Sequence, residues 1–156
     1  MAAACIDGVL VQGDLAIVGD RISAVGLAGR GSGLAIPAFV DAQVNGYAGI
    51  DVMSAVPEAL VELGQALLRD GVTAYLPTLI TGDPDDMLTA LRRIAALGDR
   101  HAGASIIGVH LEGPFLSRER AGAHPFEHLR APDRALLEQL LGAGPVRMLT
   151  LAPELP

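Results

Sequence analysis

The sequence has a single cysteine, Cys5, and no lysine among its 156 residues. One cysteine cannot close an intrachain disulfide, so a disulfide-framed secreted scaffold is excluded and a reducing cytoplasm is the expected setting. Without lysine, the 11 basic residues are all arginines, set against 18 acids for a formal charge of -7. They form no basic run, so neither nucleic acid nor an anionic membrane surface is expected as a partner, although a local anion site remains open. Long apolar runs are missing too. Gly, Asp and Pro break every stretch well before the roughly 20 residues that a membrane-spanning helix takes. The opening Met1-Ala-Ala-Ala-Cys5-Ile-Asp-Gly8 has no basic n-region, and Asp7 interrupts the apolar segment, so no secretory signal is expected.

Apolar residues make up 51% of the chain, enough to bury a core of ordinary size. From Ile6 to Val25, apolar residues alternate with Gly8, Gly13 and Gly19, the pattern of short strands and turns. Gly29-Arg-Gly-Ser-Gly33 looks like a phosphate loop, but it opens no helix and lacks the full dinucleotide fingerprint, so it reads as a linker. A different rhythm follows. An apolar strand is predicted around Leu34 to Ala42, then a helix from Pro57 with Leu60, Leu63, Leu67 and Leu68 on one face and Gly71 as its stop. Thr73 to Ile80 reads as a strand. Asp83 and Pro84 then start a helix that runs to Gly98. A third strand over Ser105 to Leu111, a helix over Pro132 to Leu141 and a strand over Val146 to Leu151 complete the pattern. Such alternation implies a parallel sheet with helical cover, as an open sheet or a closed barrel.

Ligands bind at the carboxyl ends of strands in this class, which directs attention to two polar groups. One is Asp41-Ala-Gln43-Val-Asn45-Gly-Tyr47 and the other His110-Leu-Glu112-Gly-Pro-Phe115. Glu112 is the stronger candidate, a carboxylate on a stiff Gly-Pro turn able to reach a cation or a substrate proton; spacing alone leaves a solvated loop acid equally open. His110, two residues earlier, shares its face of the strand and is either a site contact or a hydrogen-bonded core histidine. Gln43 and Asn45 share a face as well, but neutral amides are weak metal ligands and suit hydrogen bonding to substrate or water. Arg118, Arg120 and His124 gain interest only from following Glu112. His101 and His128 are expected at the surface. Ser54, Ser105 and Ser117 lack the context of a nucleophile elbow.

Taken as a set, five segments carry a family resemblance: Ile36-Pro-Ala-Phe-Val-Asp-Ala-Gln-Val-Asn-Gly-Tyr47, Asp70-Gly-Val-Thr-Ala-Tyr-Leu-Pro-Thr-Leu-Ile-Thr81, Gly108-Val-His-Leu-Glu-Gly-Pro-Phe-Leu116, Gly122-Ala-His-Pro125 and Leu151-Ala-Pro-Glu154. In this order the chain resembles the N-acetylglucosamine-6-phosphate deacetylases of the amidohydrolase superfamily. The resemblance implies an α/β fold: a small β-sandwich portion over residues 1–34, then the first half of a (β/α) TIM-type barrel over 35–156. A complete barrel takes about 250 residues, which leaves room here for about four of eight strands.

It further implies a cytoplasmic hydrolase that releases acetate from N-acetylglucosamine 6-phosphate, working as a homodimer or homotetramer at full length. Glu112 would be a ligand of one divalent metal ion (Zn, Fe, Mn or similar), and Ala123 and His124 would contact the substrate. Gln43 and Asn45 stand where many amidohydrolases carry a His-x-His pair, which favours one metal over two. Ala38 replaces a usual Gly. The remaining metal histidines and the catalytic aspartate of the family would lie beyond residue 156, so the chain alone is expected to be inactive. The alternatives are a non-catalytic remnant or interaction module, and an amidohydrolase acting on a cyclic amide.

Overall fold

The computed structural model describes residues 2–98 and 102–156, so the surface expectation for His101 lies outside the described residues. The chain divides into two compact units, Met1–Ala38 and Phe39–Pro156.

In the first unit, β1 (Ala3–Ile6) and β2 (Val9–Gln12) pair antiparallel, with Ile6 opposite Val9. The two-residue turn between them has φ of 48° at Asp7 and 79° at Gly8. Positive φ at both positions matches the right-handed twist of the strands, and Asp-Gly is a sequence that accepts it. The strands β3 (Asp14–Val18) and β4 (Arg21–Leu27) form a second hairpin, and β5 (Leu34–Ala35) runs parallel to β1. The Gly29 to Gly33 segment takes a structural role: the Asp14 carboxylate accepts the Gly31 N–H at 3.2 Å.

The second unit opens with β6 (Phe39–Val44), followed by the small hairpin of β7 (Gly46–Tyr47) and β8 (Ile50–Asp51). The predicted strand from Leu34 is therefore split. Residues 36–38 are in neither strand, and Pro37 at their centre has no N–H to give to a ladder. Helix α1 (Pro57–Arg69) then leads to β9 (Val72–Ile80) and α2 (Pro84–Leu97). Leu60, Leu63 and Leu67 are buried as the periodicity predicts, but Leu68 is 46% exposed, one position round the helix from the buried stripe. Asp83 caps α2 by accepting the Asp85 N–H at 2.9 Å.

The third predicted strand is also interrupted, into β10 (Ser105–Ile106) and β11 (Val109–Glu112). Gly108 at the break has φ of 152°, and a side chain there would strike Arg147. Helix α3 (Arg134–Ala143), capped by Asp133, leads to β12 (Val146–Thr150). Residues 74 and 75 of β9 pair with both β6 and β10, so these flank β9 on opposite edges. The parallel order is then β6, β9, the β10–β11 path and β12, in sequence order with helices between. The core joins the strands to α1, α2 and α3 through Leu63, Leu79, Leu91, Leu111 and Leu140, each fully buried. No helix among the described residues is long and apolar enough to cross a membrane.

The core and the cap differ in weight. Leu91→Ala is expected to lower stability by about 2–5 kcal/mol, because it empties a closed site. Asp83→Ala should cost only about 1 kcal/mol. Urea titration of both variants in a complete barrel carrying these residues checks the order, and equal losses would contradict it.

Candidate active site

Glu112 is the last residue of β11, and Gln43 and Asn45 stand at the end of β6. With β9 between the two strands, their carboxyl ends face one another across Ile80. The Glu112 carboxylate spans the gap: Oε2 accepts from Gln43 Nε2 at 3.0 Å and from Asn45 Nδ2 at 3.4 Å. The amide orientations are those the carboxylate requires, since only the NH2 groups can donate to it. The other oxygen, Oε1, lies 3.7 Å from His124 Nε2. The Glu112 side chain is 22% exposed and that of His124 13% exposed, so both are sheltered yet reachable. Beside them opens a cavity of about 490 Å³, lined by Asn45, Ile80, Glu112, Arg120, Ala123 and His124 among others.

The loop after β11 brings His124 back to the strand end. Gly113 N–H donates to the Thr150 carbonyl at 3.0 Å and Ala152 N–H to the Phe115 carbonyl at 2.8 Å, tying the loop to the end of β12. Ser117 starts a single helical turn over Arg118–Arg120, and His124 N–H closes the next turn on the Ala121 carbonyl at 3.0 Å. His128, expected at the surface, lies half-buried in a further short turn over Phe126–His128.

Of the residues singled out in the sequence, Gln43, Asn45, Glu112, Arg120, Ala123 and His124 thus meet at one place, whereas Arg118 does not line this cavity. His110 does not line the cavity. It is 1% exposed, with Nε2 2.8 Å from the Thr150 hydroxyl and Nδ1 3.3 Å from that of Thr78. The Thr78 hydroxyl already donates to the Leu76 carbonyl, so it accepts from His110 Nδ1–H. Burial lowers the His110 pKa, against the opposing pull of the Glu112 carboxylate and the Ala42 backbone. Thr78, Thr81 and Thr150 escaped the sequence reading because threonine is an ordinary strand former. Their one signal is position near the ends of β9 and β12.

A catalytic divalent metal usually takes about three protein ligands. Among the described residues no group of three or more His, Cys, Asp or Glu is placed to hold one. Glu112 offers one anionic ligand and the neighbouring amides are weak donors, so these residues alone do not complete a metal site.

No family model matches the chain. Individual relatives do. The human (Homo sapiens) N-acetylglucosamine-6-phosphate deacetylase is 39% identical over 132 residues, covering 80% of this chain and 32% of that protein. Over these residues the chain is similar to this deacetylase. An N-acetylgalactosamine-6-phosphate deacetylase from Escherichia coli O157:H7 is likewise 39% identical, over 128 residues, covering 80% of the chain and 34% of the relative. Among solved structures, an N-acetyl-D-glucosamine-6-phosphate deacetylase mutant from Mycobacterium smegmatis, in complex with N-acetyl-D-glucosamine-6-phosphate, is 34% identical with a TM-score of 0.78. The match covers 99% of this chain and 43% of that one. The chain therefore spans about a third of the length of these two deacetylase relatives.

Proposed function

We propose that this chain is the N-terminal part of a cytoplasmic hydrolase that cleaves the N-acetyl group of N-acetylglucosamine 6-phosphate, yielding glucosamine 6-phosphate and acetate. The observation that carries the reading is the convergence of Glu112, Asn45 and His124 on one cavity, with Gln43 hydrogen-bonded to Glu112, in a chain that aligns with deacetylases along nearly its whole length. Residues 1–34 then form a portion of a small β-sandwich, and residues 35–156 are the first half of the barrel.

A cavity of this size suits a sugar phosphate. Arg120 is the one permanently charged cation in its lining and would favour a phosphate dianion. His124 presents Nε2 to the cavity and can donate a hydrogen bond to a substrate oxygen. Ala123 leaves room beside it. Glu112 would be one ligand of a single divalent cation, with the other ligands and the proton-transfer aspartate supplied from outside these residues. A homodimer or homotetramer is the proposed assembly of the complete enzyme. The galactosamine epimer is a second substrate reading, favoured by the equal identity to the Escherichia coli relative.

Acetate release from the two epimers by a complete barrel carrying these residues tests the proposal. Turnover of either supports it and their ratio names the sugar; a cyclic amide turned over in their place would refute it. His124→Ala in the same barrel should lower kcat/KM by roughly 10²-fold, the loss expected for one oriented donor. Metal content should stay near that of the parent, and its loss would assign His124 to the metal.

A further inference from the structure

Thr81 follows the last residue of β9 and is 1% exposed, so its hydroxyl must find its partners inside the protein. It has two. Thr81 Oγ1 lies 2.9 Å from His124 Nδ1 and 3.4 Å from the Glu112 carbonyl oxygen. The Thr81 backbone N–H also donates to His124 Nδ1, at 3.3 Å. A ring nitrogen that accepts a backbone N–H carries no proton of its own, so the neutral imidazole is protonated on Nε2. The hydroxyl has one proton, and the nearer acceptor is Nδ1. The Nε2–H bond is thereby aimed at the cavity and at Glu112 Oε1, 3.7 Å away.

Gly113 is the second half of this arrangement. Its φ is +93°, a region that side chains disfavour, and an added Cβ would stand 2.2 Å from Thr81 Oγ1 and 3.3 Å from Leu116 Cδ1. Any larger residue would push the threonine hydroxyl off the histidine. The glycine after Glu112 thus serves the neighbouring strand as well as its own turn.

From this geometry we propose that Thr81 is the positioning residue of the site, holding His124 in one orientation and one tautomer with Nε2–H toward the substrate, and that Gly113 is glycine to leave space for the Thr81 hydroxyl. The inference rests on the deacetylase reading of His124 as a substrate contact, and it extends that reading to two residues that touch no substrate. Partners that orient metal ligands typically matter by about 10- to 100-fold, and the same scale is expected for the partner of an oriented substrate contact.

The test uses a complete barrel carrying these residues, with Thr81→Val, Thr81→Ser and Gly113→Ala. Long-range nitrogen–proton correlation spectra of isotopically labelled histidine should show the Nε2–H tautomer of His124 in the parent, in Thr81→Ser and in Thr81→Val, whose backbone N–H still faces Nδ1, with the Nδ1 resonance moved in Thr81→Val alone because the hydroxyl hydrogen bond is lost. In Thr81→Val kcat should fall about 10- to 100-fold while KM stays within about twofold, because an aimed donor acts mainly in the transition state. Thr81→Ser should recover most of that loss, and Gly113→Ala should behave like Thr81→Val. An Nδ1–H tautomer in the parent would overturn the proposal. So would an unchanged Nδ1 resonance and kcat in Thr81→Val, or a folded Thr81→Ser as impaired as the valine variant. If the Nδ1 resonance responds as stated but the parent releases no acetate, the positioning role stands and the deacetylase reading falls.

Discussion

Purified alone, residues 1–156 are expected to self-associate, to hold far less than one divalent metal ion per chain, and to release no acetate from N-acetylglucosamine 6-phosphate. The geometric cause lies at the two ends of the parallel sheet. β6 and β12 each pair on one side only among the described residues, which leaves a row of backbone N–H and C=O groups free to add a strand from another chain. The side chains make this worse. Phe39 and Val40 on β6 are 59% and 62% exposed, and Met148 on β12 is 39% exposed. Parallel sheets normally have both faces covered, so this much bare apolar surface favours association. The first unit adds to it, with Ile17 63% and Val18 70% exposed. Chemically, one carboxylate cannot take the place of about three ligands. Sedimentation, metal analysis and an acetate assay on the same preparation check all three expectations. A monomer with a cooperative melt, stoichiometric metal and turnover would refute them; recovery of activity on co-expression with a C-terminal barrel half would support them.

Glu112→Gln in a complete barrel is expected to abolish metal retention and turnover together. Glutamine keeps the size of the side chain and can still be hydrogen-bonded by Asn45 or Gln43, so the local fold should survive. What it removes is the negative charge, which makes a carboxylate a far stronger ligand for a divalent cation than a neutral amide. Changing a partner of a metal ligand typically costs 10–100-fold in affinity or activity, so losing the ligand itself should cost at least about 100-fold. Metal analysis after dialysis, read beside kcat/KM, decides the matter. Full metal content with lost turnover would move Glu112 from the metal to proton transfer or substrate binding.

The two variants at the heart of the site should therefore separate cleanly. Glu112→Gln is expected to lose the metal with the activity, whereas His124→Ala is expected to lose activity with the metal kept. The distinction follows from position. Glu112 ends a strand and is clamped by two amides, while His124 reaches the same point from a loop and is held through Thr81.

The alternation of strands and helices was legible in the sequence because each amphipathic period reports how one element buries one face, and that is a local property. Asp83 before Pro84 announced the start of α2, and the leucines of α1 announced its buried stripe, for the same reason. The meeting of Glu112 with His124 was less legible: the two are twelve positions apart, and the residue types alone allowed a solvated loop. It was the resemblance to a family that paired them. By itself, then, the sequence determined the parallel α/β class, the strand ends where polar residues gather, and the deacetylase likeness, since each is written in composition, period or motif. Only the tertiary structure decided that His110 is sealed between Thr78 and Thr150, and that Thr81 holds His124 in the space left by Gly113. These contacts join β9 to β11, to β12 and to the loop after Glu112, so no window of sequence contains them; they arise from the close packing of parallel strands, which brings distant threonines and histidines within hydrogen-bond range.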